Sequence, residues 1–206
     1  MTPESYWNNK YPKNEIIYDG RGIRGYPHRI PVDVRSMISS DSNILKKIVP
    51  YIQGNGTYDS IAHHAQKWVV ANIKYVGDKK NTGLEECWQY PNETLATKKG
   101  DCEDGAILLA SLLLNVGVPA WRVRVTAGLV SAGKGAATGG HAYVTYCRES
   151  DNNWVVLDWC YLEDSSRPVA KKPIFKTLKS YKDIWFSFNH LYSWSHKSFT
   201  NFPGVK

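Results

Sequence analysis

The chain has 206 residues, 42% hydrophobic and 22% charged, enough apolar material for one domain with its own core. Its net charge of +7 is unevenly spread: residues 1–100 are net +4, residues 101–160 net −2 and residues 161–206 net +5, so a slightly acidic middle lies between basic flanks. The four cysteines form no Cys-x-x-Cys pair, which argues against a zinc ribbon or redox dithiol. The lack of zinc-finger spacing or a glycine-rich phosphate loop argues against nucleic acid as a partner, and no apolar run is long enough to insert in a membrane as a spanning helix.

Residues 1–35, rich in Gly, Pro, Tyr and Arg, read as irregular chain or short extended pieces. Residues 36–52 suit a short helix ending near Pro50, and GNGTYD is a turn in which Gly54 and Gly56 tolerate positive φ. Asp59 or Ser60 then caps a helix to about Asn72 whose apolar face is Ile61, Ala65, Trp68 and Val69. IKYV is extended, DKKNTG a turn, and CWQYPNETL a loop, because Pro91 biases its predecessor away from helix. Asp101 caps a helix over about Cys102–Val116 that is apolar over most of its surface and belongs at the centre of the fold; Gly117 ends it. WRVRV alternates as a strand does, with Arg122 and Arg124 on one side. SAGKGAATGG reads as a flexible loop. HAYVTYCR and WVVLDWCY are β-runs joined by ESDNN as an antiparallel hairpin. From residue 162 the pattern weakens: RPVAKKP is linker-like, and YKDIWFSFNHLYSWSHKSF is aromatic without a clear period.

Three residues in the better-patterned part carry chemistry. Cys102 follows the helix cap directly, where unpaired N–H groups and the helix dipole favour a thiolate, the form that attacks acyl carbon. Asp101, Glu103 and Asp104 oppose that, so the thiolate needs a paired imidazolium. His141 opens the first hairpin strand after Gly139 and Gly140. Asp158 lies between Leu157 and Trp159 in the second, where a carboxylate needs a partner. A turn near residues 149–152 brings Asp158 close to His141 across the hairpin. One imidazole nitrogen then meets the carboxylate and the other faces a sulfur arriving from the helix, the division of roles in a nucleophile–base–orienter triad.

The stretch WQYPNETLATKKGDCEDGAILLASLLLNVGVPAWRVRV, with HAYV and WVVLDW after it, resembles the transglutaminase-like superfamily, and in particular its bacterial cysteine proteinases. The likeness covers roughly residues 60–161. It implies an α+β, papain-like/transglutaminase-like core with an N-terminally capped central helix packed on an antiparallel sheet. It also implies Cys102 as nucleophile, His141 as base and Asp158 as orienter. The backbone N–H of Cys102 and the Trp88 indole would hold the oxyanion, with the Gln89 amide as an alternative. Some of these proteinases bind calcium beside the cysteine, which here would fall to Asp101, Glu103 and Asp104; no cofactor is otherwise required. One departure is Gly105–Ala106, where the periplasmic members carry a bulkier aromatic.

The expectation is therefore a single domain over 1–206, its core about 60–161, with an N-terminal extension 1–50 and an aromatic C-terminal extension 162–206. The expected activity is acyl transfer through a thioester, most simply hydrolysis of a peptide or side-chain amide in a protein or peptide substrate. The alternatives are glutamine cross-linking, or a structural part of a viral or cell-surface assembly that docks through the termini. The start, MTPESYWNNKYPKNE, does not read as a signal peptide, and the cysteine usage suits a reducing compartment. That gives a cytoplasmic or virion-associated location as the expectation.

Overall fold

The computed structural model describes residues 1–10, 13–23, 26–131 and 138–196. In chain order it contains α1 (Pro3–Lys10), β1 (Lys13–Asn14), the antiparallel pair β2 (Ile17–Ile23) and β3 (Tyr26–Asp33), α2 (Asn43–Lys46), α3 (Tyr58–Asn72), β4 (Lys74–Tyr75), α4 (Asp78–Asn81), α5 (Pro91–Thr97), β5 (Lys99–Gly100) and α6 (Cys102–Asn115). Then follow β6 (Val123–Ser131), β7 (Thr138–Cys147), β8 (Trp154–Leu157), α7 (Leu162–Ser166), β9 (Tyr181–Phe188) and β10 (Ser193–Ser195), with 3-10 turns between several of them. One antiparallel six-stranded sheet runs in the order β1-β10-β9-β6-β7-β8. Helix α6 lies on strands β6 and β7, and α3 packs on α6, so the architecture is the expected α+β one. No helix among the described residues is long and apolar enough to cross a membrane.

The sequence of α6 dictates its place. Every residue from Glu103 to Leu113 is buried, and Ile107, Leu108 and Leu112 meet Val125, Val144, Tyr146, Phe186 and Phe188 in one core. Cutting one such leucine to alanine costs about 2–5 kcal/mol. Helix α3 supplies the second layer through Ile61, Ala62, Ala65 and Val69, and Thr57 caps it, slightly earlier in the chain than the sequence suggests. Gly117 adopts φ +96° just past α6, the left-handed conformation that releases the chain.

Several readings change. The segment 36–52 is not one helix but a 3-10 turn at Val34–Met37, the short α2 and a 3-10 turn at Val49–Tyr51. Its serines bond elsewhere: the Ser39 N–H donates to Ser111 Oγ (3.1 Å), the Ser42 N–H to Asn115 Oδ1 (2.8 Å), and Ser42 Oγ caps α2. In WRVRV the strand begins only at Val123, Arg122 sits in a 3-10 turn, and Arg124 is buried against the rings of Trp154 and Trp194. Within SAGKGAATGG, residues 132–137 lie outside the described residues, and the flanks belong to β6 and β7.

The largest change concerns the two ends. Strand β9, from the stretch read as an aromatic extension, sits between β10 and β6, and β1 from the N-terminal arm pairs with β10. The core thus reaches beyond 60–161. The pairing of β9 with β6 is interrupted twice, between Ala127 and Gly128 and between Leu129 and Val130, which breaks a simple alternation along β9. At the first interruption a Cβ on Gly128 would stand 1.9 Å from the Asp183 carbonyl oxygen, so only glycine fits.

The departure at Gly105 has a packing reason. A Cβ there would lie 2.1 Å from Cε2 of Trp159, whose indole N–H donates to the Cys102 carbonyl at 3.0 Å. The ring occupies the place of a side chain. Gly105→Ala is therefore expected to destabilise the fold by about 1–3 kcal/mol through overpacking, although alanine is the better helix former. Urea unfolding measures this, and an unchanged or raised midpoint would refute the packing account.

Candidate active site

Cys102 is the first residue of α6, so its N–H has no partner within the helix. The start of that helix is tied to the approach loop by Asp104, which is fully buried. Asp104 Oδ2 accepts the Asp101 N–H at 3.3 Å, the reach-back half of a capping box, and Asp104 Oδ1 accepts the Gln89 N–H at 2.7 Å. The Gln89 side-chain amide also donates to Asp104 Oδ2, and to the Lys99 carbonyl at 3.3 Å. Cys102 Sγ contacts Glu103 Oε2 at 3.1 Å, and the Ala142 backbone N–H is directed at the thiol. Burial first, and then the charge of Asp101, push the Cys102 thiol up, so the proton is held on sulfur.

The hairpin delivers the other two residues. The register Val144↔Leu157 through Cys147↔Trp154 places Asp158 one residue beyond the last pair, on the side where His141 stands. His141 Nε2 lies 2.8 Å from Asp158 Oδ2. Asp158 has no exposed surface. Its Oδ1 accepts the Cys160 N–H at 3.0 Å, and its Oδ2 also accepts the Tyr181 hydroxyl at 2.9 Å. Its main chain is held as well: the Asp158 N–H donates to Asp164 Oδ2 (3.0 Å) and its carbonyl accepts Gln66 Nε2 (2.8 Å). The Cys160 thiol, the His141 ring and the Asp158 carboxylate lie within 4.8 Å of one another, so a second thiol flanks the imidazole.

Cys102 and His141 line one cleft of about 480 Å³. Tyr18, Tyr75, Trp88, Trp185 and Phe186 form its aromatic walls, Gly140, Ala142 and Ala127 its strand side, and Glu86, Asp101 and Glu103 an acidic end. Cys160 is not among the lining residues, which separates the two thiols: Cys102 opens on the cleft.

The residues singled out in the sequence therefore divide. His141 and Asp158 are in contact, and Cys102 lines the same cleft as His141. Trp88 lines the cleft, but its indole N–H donates to Glu86 Oε1 at 2.8 Å, so in this state it is not directed at an acyl oxygen. Gln89 is a correction: its amide belongs to Asp104 and Lys99, and it does not line the cleft. Of the three acids, Asp104 is a buried clamp for the loop, whereas Asp101 and Glu103 face the cleft and join two acids not singled out, Asp78 and Glu86. Ligand atoms of Asp78, Asp101 and Asp104 lie within 4.8 Å of one another, as do those of Asp78, Glu86 and Glu103. Asp78 Oδ1, Asp101 Oδ1 and Glu103 Oε1 are buried without a hydrogen-bond partner. Burial and then the charge of Asp101 raise the Asp78 carboxyl to about 7. Glu103 and Asp104 are likewise pushed up by burial and by their acidic neighbours. Oxygen-only donors with orphaned lone pairs fit a hard divalent cation such as calcium.

Sequence reasoning also missed the hairpin β2–β3. Tyr18 stacks on Trp88 with ring centroids 4.4 Å apart, Arg21 donates to the Trp88 carbonyl (2.9 Å), and Arg21 pairs with Glu93 (2.6 Å). The N-terminal arm thereby forms one cleft wall and fixes the approach loop. A Gly/Tyr/Arg-rich segment without a period gave no signal of this.

Solved structures share the architecture. An EGTA-treated form of Legionella pneumophila LapG is 19% identical with a TM-score of 0.55, covering 75% of this chain and 73% of that one. Another Legionella pneumophila LapG structure is 19% identical with a TM-score of 0.51, covering 77% and 86%. The calcium-bound form of Legionella pneumophila LapG is 21% identical with a TM-score of 0.49, covering 78% and 90%. No curated protein is a significant match. The model of the transglutaminase-like superfamily matches residues 39–159, which hold Cys102, His141 and Asp158 and make up more than half of the sequence, and the chain belongs to that superfamily.

Proposed function

We propose that the chain is a cysteine-dependent acyl-transfer enzyme that hydrolyses peptide or side-chain amide bonds in a protein substrate. The observation that carries this reading is the His141–Asp158 contact of 2.8 Å at the wall of the cleft that exposes Cys102. With Nε2 committed to Asp158, Nδ1 of His141 is the base. Because burial keeps the thiol protonated, the proton leaves Sγ for Nδ1 as sulfur attacks the acyl carbon. The new C–S bond creates an oxyanion, which the Cys102 backbone N–H at the helix start would stabilise. His141 returns the proton to the departing nitrogen as the C–N bond breaks. Water then gives a proton to His141 and adds to the thioester; the C–S bond breaks and the proton goes back to sulfur. The aromatic walls suit an extended stretch of polypeptide, in keeping with a protein or peptide substrate.

In this reading Cys102 outpaces every other thiol. Alkylation with iodoacetamide at neutral pH, mapped by mass spectrometry, is expected to modify Cys102 first, and His141→Ala to slow it by about tenfold or more, an order-of-magnitude figure for loss of a general base. Labelling of Cys160 ahead of Cys102 would reassign the nucleophile, and equal labelling of Cys87, Cys102, Cys147 and Cys160 would remove the enzyme reading.

We also propose that Asp78, Glu86, Asp101 and Glu103 hold calcium beside the cysteine. The bound ion would supply positive charge against the acids that hold the thiol up. The sign of the pH effect follows from the raised carboxyl values. Metal-free, Asp78 in the folded protein keeps its proton between 3.8 and about 7 where the unfolded chain has lost it, so its contribution to stability is full below that window and is lost as pH rises through it. Calcium is therefore expected to raise Tm more at about pH 8 than at about pH 5, EGTA to reverse this, and Asp78→Asn with Glu103→Gln to abolish it. Melting curves that ignore calcium at both pH values would end the proposal.

A further inference from the structure

Tyr181 stands outside the segment that the superfamily model matches, on β9, yet its hydroxyl reaches the centre of the site. It donates to Asp158 Oδ2 at 2.9 Å, the same oxygen that meets His141 Nε2 at 2.8 Å. Its ring is fixed by edge contacts with Tyr143 (4.6 Å between centroids) and Phe175 (5.9 Å), so the hydroxyl has little freedom to turn away. Building on the acyl-transfer reading, we propose that Tyr181 is a positioning residue: its hydroxyl shares Asp158 Oδ2 with His141 and sets how strongly the carboxylate holds the imidazole.

The physical argument is a competition for one oxygen. A carboxylate oxygen that accepts a second strong hydrogen bond spreads its charge over two donors and binds each less tightly. With Tyr181 present, part of the Asp158 charge is committed to the phenol, so the carboxylate orients the His141 ring while holding it less tightly. Burial and the neighbouring Asp158 charge keep the Tyr181 hydroxyl protonated, so it remains a donor throughout. A separate set of contacts fixes the main chain: Asp164 Oδ2 takes the Asp158 N–H, Gln66 Nε2 (2.8 Å) and the buried Lys172 ammonium (2.7 Å). These place residue 158, whereas Tyr181 acts on its carboxylate. Other titratable groups that share the His141 surroundings among the described residues are Asp101, Cys102 and Glu103 at the start of α6, Glu86 from the approach loop, Cys160 and Tyr161 from the segment after β8, and Tyr143 on its own strand. None of these side chains donates to Asp158 Oδ2 among the described contacts.

The test is the NMR titration of the His141 ring in a Cys102→Ala background. Removing the donor with Tyr181→Phe is expected to raise the His141 pKa by about half a unit to one unit, the size of a partly transmitted charge-assisted hydrogen bond. Site-specific 3-fluorotyrosine at position 181, a stronger donor, is expected to lower it, and keeps the test available if the Phe variant folds poorly. Phe175→Leu, which loosens the same packing and leaves the donor in place, is expected to shift Tm but not the titration. A His141 titration unmoved by Tyr181→Phe, or moved equally by Phe175→Leu, overturns the proposal. Since the Cys102→Ala background has no nucleophile, this result is independent of whether the chain performs acyl transfer, which the alkylation experiment decides.

Discussion

One contact joins the two halves of the site. Trp159 follows Asp158 directly, its ring fills the space left by Gly105 on α6, and its indole N–H holds the Cys102 carbonyl. The hairpin that carries His141 and Asp158 is thereby fixed against the helix that carries Cys102. A triad needs its members held to within about half an ångström, and side chains on separate elements achieve this only when those elements are locked together. Here the lock is a glycine-sized gap and an indole of matching shape.

Around that lock the site is electrostatically opposed to its own chemistry. The helix start favours a thiolate, but Asp101 and the burial of Cys102 hold the proton on sulfur. Several carboxyls at the acidic end are raised for the same reasons, and three acids there carry buried oxygens without a partner. Such an arrangement is costly unless protons or a cation neutralise it. The proposed calcium ion would act here by changing the charge next to the sulfur, as protonation of the same acids does.

The candidate site was legible in the sequence because Cys102, His141 and Asp158 each belong to a local pattern: a cysteine behind a cap, and a histidine and an aspartate on adjacent runs whose turn fixes their register. The α+β class followed from the resemblance to the transglutaminase-like superfamily. What the sequence hid depends on distant pairings. Tyr181 reaches Asp158 through β9, whose alternation is broken by two interruptions against β6. Asp78 and Glu86 join the acidic end from the start of α4 and from the loop after it. Tyr18 and Arg21 reach the approach loop from an arm without periodicity. Gln89 belongs with these: the resemblance offers its amide as an alternative oxyanion donor, and only the fold reveals that buried Asp104 takes that amide.

The central claim is that Cys102 attacks acyl carbon with His141 as its base. It is tested most directly by treating the protein with a peptidyl acyloxymethyl ketone, which alkylates a cysteine seated at an acyl-binding site, and mapping the adduct by peptide mass. The expected result is one adduct, on Cys102, strongly reduced by His141→Ala and by Asp158→Asn. An adduct on Cys160, or an adduct on Cys102 that forms equally well without His141, would contradict it.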